Sequence, residues 1–198
     1  MIEEFWDQRY AHSDYAYGTK PNAFFKKELD KLAPGKVLLP GEGEGRNAVY
    51  AAVKGWEVVA FDFSTEARKK AQRLADRLGV EIEYRTGTYE SLELEEKTFD
   101  LVAFIYVHLD PRIRRAFHGT MVNTLKPDGK LILEGFSTDQ FTRTTGGPKR
   151  QDMLFSENIL RKDFEGLSRL KIWEKEVLLN EGDYHQGLAA VIRAKGTK

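Results

Sequence analysis

Three glycines at alternate positions, Gly41, Gly43 and Gly45, separate an apolar run from a helical pattern in the stretch VLLPGEGEGRNAVYAA. A glycine turn at a helix N-terminus lets the backbone approach a nucleotide closely. Twenty-one positions after Gly41 a second apolar run, beginning at Trp56, ends at Asp62. An acid at the tip of a second strand can accept two hydrogen bonds from a ribose diol. The pair predicts a nucleoside-containing ligand. The glycines alone would equally serve to pack a helix against a strand.

The residues between the glycines select among nucleosides. A dinucleotide fingerprint would need its third glycine at position 46, which is Arg46, and the loop carries Glu42 and Glu44. A pyrophosphate beside two carboxylates is unfavourable in a partly dry site. S-adenosylmethionine has no phosphate and brings a sulfonium and an ammonium, which acids suit. The loop therefore favours S-adenosylmethionine over NAD or FAD.

These motifs sit on a chain whose pattern alternates strands and helices, as in an α/β fold with helices on both faces of a sheet. Helices are expected over Met1–Tyr10, Pro21–Leu32, Arg46–Lys54, Ser64–Leu78, Asp110–Leu125 and Ser156–Asp163. Strands are expected at Lys36–Leu39, Glu57–Phe61, Val80–Arg85, Asp100–Ile105 and Lys130–Glu134, the last entered through the turn Lys126–Gly129. Two runs, Leu170–Leu179 and Leu188–Ala194, flank EGDYHQG and read as a terminal β-hairpin. The sum is a Rossmann-like, doubly wound, seven-stranded and mostly parallel sheet whose last strand is antiparallel. One domain over residues 1–198 is expected, with residues 1–34 as a helical lid. The 31 basic and 31 acidic residues cancel, so no global field favours nucleic acid or an anionic membrane. There is no cysteine, which excludes disulfides and thiolate chemistry. No signal peptide or membrane span is read, and the expected location is the cytoplasm.

With motifs and hairpin placed, the chain resembles the class I S-adenosylmethionine-dependent methyltransferases. The segments FWDQRYAHSDYAYGTKPNAFF, GEGEGRNAVY, FDLVAFIYVHL, LKPDGKLILEGF and TGGP are similar to the tellurite-resistance branch, related to the thiopurine methyltransferases. The resemblance implies that Gly41, Gly43 and Gly45 cradle the methionine end of the cofactor and that Asp62 holds the ribose. It places Phe63 on the adenine, Thr88 and Tyr89 at the adenine edge, and Ile105 and Tyr106 along the cofactor. Two positions depart from the family. Leu39 stands where an acid is usual, with Glu42 as a source of the lost charge, and Thr88 stands where an Asp often accepts from the adenine amino group.

Methyl transfer is an in-line displacement on an already activated carbon, so positioning and desolvation can supply most of the rate. A base is needed only where the acceptor holds a proton in its reactive form. In an open α/β sheet, ligands lie beyond the carboxyl ends of the strands, which selects His108 and His185 as base or substrate anchor. Arg143 and Lys149 are candidates to meet an anionic acceptor. Each histidine has a plainer reading: His108 as a helix cap, His185 as a solvated, exposed turn residue. His12 and His118 read as surface. Trp6, Tyr10, Tyr15 and Tyr17 form either a lid that excludes water and faces a sulfonium by cation–π attraction, Trp6 and Tyr17 then touching the cofactor, or a hydrophobic clasp for the N-terminus. TGGP is either a flexible connection or part of an acceptor pocket. No metal site is expected.

The expected function is S-adenosylmethionine-dependent methyl transfer to a small-molecule acceptor, by a monomer that binds neither nucleic acid nor membrane. The alternatives are a non-catalytic protein of the same fold that binds S-adenosylmethionine or S-adenosylhomocysteine, and an NAD-dependent oxidoreductase, against which Arg46 and the loop glutamates argue.

Overall fold

The structure, a computed structural model, describes residues 2–88 and 90–198, without the side chains of Ile2 and Glu3. Seven strands form one sheet: β1 (Lys36–Pro40), β2 (Glu57–Asp62), β3 (Glu83–Thr86), β4 (Phe99–Ile105), β5 (Leu125–Phe136), β6 (Ser168–Glu181) and β7 (His185–Thr197). Their order is β3-β2-β1-β4-β5-β7-β6. β1 pairs parallel with β2, β2 with β3 and β4 with β5, whereas β7 runs antiparallel to β5. This is the expected mostly parallel sheet with a reversed last strand. β2 is buried along five of its six residues, as befits a parallel strand covered on both faces.

Two compact units divide the chain. Met1–Glu93 with Glu181–Tyr184 form one, and Leu94–Asn180 with His185–Lys198 form the other. The first holds helices α1 (Ile2–Tyr10), α2 (Ala23–Leu29), α3 (Arg46–Val53) and α4 (Thr65–Leu78); the second holds α5 (Pro111–Asn123) and α6 (Glu157–Asp163). In the first unit Val49, Leu74 and Ala75 make one apolar cluster, and Tyr10, Ala16 and Ala67 another, flanked by Trp6 and Tyr17. In the second, Phe136, Leu154, Leu179, Ala189 and Val191 pack together with Tyr106 against them.

Helix ends follow local chemistry. Ser64 accepts from the amide of Ala67, and Gly79, left-handed at φ 66°, closes the same helix. Asp110 accepts from the amide of Arg112, with Pro111 in the first turn. The second helix begins later than expected. Asn22, not Pro21, sets its start, because the Asn22 carboxamide accepts from Phe25 N at 2.9 Å while its own backbone stays extended.

Three further boundaries moved for physical reasons. β3 omits Val80, whose amide donates to Ala75 O and so finishes α4, while Val80 and Ile82 pack on the Val49 cluster. The turn Lys126–Gly129 lies inside β5 as an irregularity: Phe99 pairs with Leu125 and Leu101 with Lys130, with Asp128 left-handed in between. The hairpin strands extend to Glu181 and from His185, leaving only Gly182–Tyr184 as the tip. Short 3-10 turns at Thr138–Thr142 and Gln151–Met153 were not anticipated.

Candidate active site

Gly41, Gly43 and Gly45 all have positive φ, at 58°, 64° and 88°, so each uses the freedom only glycine has cheaply. Gly45 is the N-cap of α3 without a capping side chain. A Cβ there would lie 2.6 Å from Cβ of Ala71 and 2.7 Å from its Cα, so this glycine sets the approach of α3 to α4. At Gly43 the amide donates to Asp62 Oδ2 at 3.1 Å and the carbonyl accepts from the Tyr84 hydroxyl at 2.6 Å. A Cβ on Gly43 would meet the Tyr10 hydroxyl at 2.8 Å.

The missing capping side chain at α3 is supplied from within the loop. Glu42 Oε1 accepts from Asn47 N at 2.7 Å and Ala48 N at 2.8 Å. Its carboxylate therefore satisfies open amides at the helix N-terminus. Asp62 Oδ1 accepts from Ser64 N at 3.0 Å, which joins the glycine loop to the start of α4. Burial dominates both acids. It pushes Glu42 up to about 7 and Asp62 up to about 6, against the pull of the amides that each accepts from.

The nearby cations are already spoken for. Lys70 Nζ lies 2.7 Å from Glu44 Oε1, and Arg46 Nη2 lies 2.9 Å from Glu181 Oε2. No lysine or arginine pairs with Glu42 or Asp62 among the described residues. The Thr86 hydroxyl, on the residue that pairs with Asp62 across β2 and β3, is buried without a hydrogen-bond partner. Two buried acids without an ion-pair partner among the described residues, beside an unused hydroxyl, suit a ligand with hydroxyls and positive charge. The donor set fits S-adenosylmethionine and does not fit a pyrophosphate.

Aromatic residues stand over the loop. Trp6 stacks on Tyr10 with centroids 5.5 Å apart, and Tyr17 lies 6.5 Å from Trp6. The Tyr17 amide donates to Glu44 Oε2 at 3.4 Å. Burial, reinforced by the Asp62 charge, raises the Tyr10 hydroxyl well above its ordinary range. Phe63 is half-buried and Thr88 exposed, and Tyr89 lies outside the described residues. Tyr84 escaped the sequence reading: nothing in a short strand pattern singles out one tyrosine as the clamp on Gly43.

In the second unit, Ile105 ends β4 and Tyr106 follows in a left-handed conformation at φ 59°. Such a backbone in a bulky residue is strained and persists only where its surroundings fix it. The Tyr106 hydroxyl donates to Glu134 Oε1 at 3.0 Å, and Arg193 Nε donates to Glu134 Oε2 at 2.6 Å. Glu134 is thus a buried anchor for that tyrosine.

The histidines depart most from expectation. His185 is only 5% exposed, because it opens β7 instead of lying in the turn, and its ring meets Tyr106 at 4.6 Å and Phe136 at 5.3 Å. The exposed tip residue is Tyr184. His118 is fully buried, not a surface residue: Asp163 Oδ2 lies 2.9 Å from its Nδ1, Arg114 Nε lies 2.7 Å from the same oxygen, and Phe164 stacks on the ring. His12 is exposed. His108 does not cap α5, which Asp110 does. Its Nδ1 donates to Met153 O at 2.8 Å, and its Nε2 accepts from Phe136 N at 3.0 Å. Burial holds it down at about 4.

Arg143 is paired with Glu176, and Lys149 is exposed. TGGP is held in place: Gln140 Nε2 donates to Thr145 Oγ1 and Gly146 O, and Gly147 packs against Phe136. Among the described residues no group of three His, Asp or Glu side chains is placed to hold a metal ion, and no helix is long and apolar enough to cross a membrane.

Residues 37–129 match the family model of a methyltransferase domain. Thiocyanate methyltransferase 1 of Arabidopsis thaliana is 29% identical over 174 residues, covering 84% of this chain and 74% of the relative. A tRNA (uracil(54)-C(5))-methyltransferase of Pyrococcus furiosus is 28% identical over 142 residues, covering 65% of this chain and 33% of its own. Among solved structures, the N-methyltransferase NodS from Bradyrhizobium japonicum in complex with S-adenosyl-L-homocysteine superposes with a TM-score of 0.71 at 16% identity, covering 99% of this chain and 97% of that one.

Proposed function

We propose that this chain, an S-adenosylmethionine-dependent methyltransferase of class I, passes the methyl group to a small, soft nucleophile such as a sulfur, selenium or tellurium species. When bound, S-adenosylmethionine supplies a methyl carbon activated by the sulfonium charge. Asp62 accepts from the ribose hydroxyls. The Gly41–Gly45 backbone receives the methionine end, and Glu42 sets the loop by holding α3. Trp6, Tyr10 and Tyr17 exclude water and present aromatic faces to a cation. By the family resemblance, Phe63, Thr88 and Tyr89 are assigned to the adenine, and Ile105 and Tyr106 to the cofactor. The observation that carries the cofactor assignment is the buried Asp62 carboxylate, tied to the glycine loop at 3.1 Å and facing no cation.

Two observations support a soft acceptor. The Arabidopsis relative is named for thiocyanate. His108 spends both ring nitrogens on backbone groups and is held near 4, so it takes no proton at neutral pH, which an acceptor already deprotonated does not require. His185 then serves to place the acceptor. The balanced charge gives no global field that draws RNA, and we place the protein in the cytoplasm as a monomer.

Calorimetric titration with S-adenosylmethionine, on the protein and on Asp62→Ala, tests the site. Losing that acceptor costs about 1.5–3 kcal/mol, roughly 10- to 100-fold in affinity. Labelled methyl transfer to thiocyanate and hydrosulfide, compared with bulk tRNA, tests the acceptor. Unchanged affinity in Asp62→Ala overturns the site, and label in tRNA alone overturns the acceptor class.

A further inference from the structure

In the first unit every lysine or arginine that is not exposed is bonded to an acid, with one exception. Lys36 pairs with Glu57, Arg46 with Glu181, Lys70 with Glu44 and Arg85 with Glu83. Arg9, on α1, is half-buried and has no acid partner among the described residues. Aromatic groups hold it instead. Its guanidinium carbon lies 3.8 Å from the ring centroid of Tyr184, 4.8 Å from that of Phe5 and 5.8 Å from that of Trp6. One N–H donates to the Tyr17 hydroxyl at 3.2 Å. A guanidinium has five donors, and among the described residues no other acceptor takes one from Arg9.

Its surroundings are those of a site mouth and not of a core. Phe5 and Tyr184, the two rings nearest the cation, are 51% and 41% exposed. Trp6, the third, stacks on Tyr10, whose hydroxyl closes on Gly43. Two aromatic side chains, Trp6 and Tyr10, therefore separate Arg9 from the glycine loop. The hairpin tip that carries Tyr184 is fixed there too, because a Cβ on Gly182 would lie 2.3 Å from Ala16 O. The guanidinium is thus positioned before any ligand arrives, which lowers the ordering cost of binding.

We infer that Arg9 is an anion-binding residue for the acceptor, and that its ligands are soft, weakly hydrated monoanions of the thiocyanate type. This rests on the reading of the protein as a methyltransferase of small soft nucleophiles, and it assigns the charge recognition in that reaction to α1 instead of to Arg143 or Lys149. Guanidinium is itself weakly hydrated. Stacked between rings, it sheds water readily to an anion of like kind and poorly to a strongly hydrated one such as sulfate.

Iodide is a suitable probe, since it quenches indole fluorescence and Trp6 adjoins the site. The protein, saturated with S-adenosylhomocysteine, is titrated with iodide at constant ionic strength, alongside Arg9→Gln and Arg9→Lys. Saturable quenching is expected in the unaltered protein, displaced by thiocyanate but not by sulfate. Arg9→Gln weakens it at least tenfold and Arg9→Lys less, with S-adenosylhomocysteine affinity by calorimetry within twofold of the original in both. No saturable component in the unaltered protein, or the same one in Arg9→Gln, overturns the assignment. Equal displacement by sulfate overturns the soft-anion class. Absence of S-adenosylhomocysteine binding instead strikes at the methyltransferase reading.

Discussion

Arg46 and Glu181 stand 135 positions apart in the chain and 2.9 Å apart in the structure, with side chains 8% and 13% exposed. Arg46 occupies the place of a dinucleotide fingerprint's third glycine. Its guanidinium also donates to Tyr17 O at 3.3 Å, and Glu181 accepts from Asn22 Nδ2 at 3.1 Å. One ion pair therefore ties the start of α3, the N-terminal linker and the hairpin tip.

Breaking this pair on one side leaves a buried charge uncompensated. Glu181→Gln should cost about 3–5 kcal/mol, which lowers the melting temperature by roughly 10 °C in a chain of this size. Replacing both partners by Met and Leu should recover most of the loss. A single variant that melts within 2 °C of the unaltered protein would show the pair to be ornamental.

Gly45→Ala asks a residue with a Cβ to hold φ 88° and to overlap Ala71, whose Cβ and Cα lie within 2.7 Å. Strain and overpacking together should cost about 3 kcal/mol. Gly79→Ala is the control. It has φ 66° but nothing within 4 Å of its added Cβ, so it should cost only about 1 kcal/mol. Equal urea midpoints for the two variants would contradict the close-approach account.

Glu42 and Asp62 titrate in the folded protein at about 7 and about 6, above ordinary carboxyls. The folded state therefore holds protons that the unfolded chain has already released. The stability they contribute is fully present below about pH 4 and is lost as pH rises through 6 and 7. Glu42→Gln should remove much of that loss, so the stability gap in its favour widens from pH 5 to pH 8. A cationic ligand reverses the burial effect on Asp62. Affinity for S-adenosylmethionine should rise by up to tenfold per unit between pH 5 and 6, with proton release visible as buffer-dependent heat. A pH-independent affinity would remove Asp62 from the site.

His108, held down at about 4 by burial, has the opposite sign. Its stabilising contribution is present above the ordinary histidine range and is lost as pH falls from about 6.5 to 4. His108→Gln should lower thermal stability and leave the shape of the pH profile of methyl transfer between pH 6 and 9 unchanged. A limb that vanishes from that profile would make His108 a base after all.

How far the sequence carried depends on whether the determinant was local. Ser64 with Gly79, Asp110 with Pro111, and the spacing from Gly41 to Asp62 each act within a few residues or along one strand–helix–strand unit, and all were legible. Burial of the histidines was not. His118 looked solvent-facing because its helix is rich in arginine, yet one of those, Arg114, turns inward with it to share Asp163 from 45 to 49 positions away. His185 was misplaced because the hairpin strands run further than their apolar runs suggest. Arg9 was passed over because what distinguishes it is the lack of an acid partner among the described residues, and a missing contact leaves no mark in a sequence.

The tip residues Glu181–Tyr184 belong to the unit built otherwise from Met1–Glu93. On the ribosome, α1 to β3 therefore emerge without the strap that binds Arg46, Asn22, Ala16 and Arg9. That strap appears roughly ninety residues later, on the order of 5–20 s at ordinary translation rates. The nascent N-terminal segment must wait, unlatched, until Glu181–Tyr184 have been made. That segment thus acquires its last tertiary contacts only when most of the chain exists.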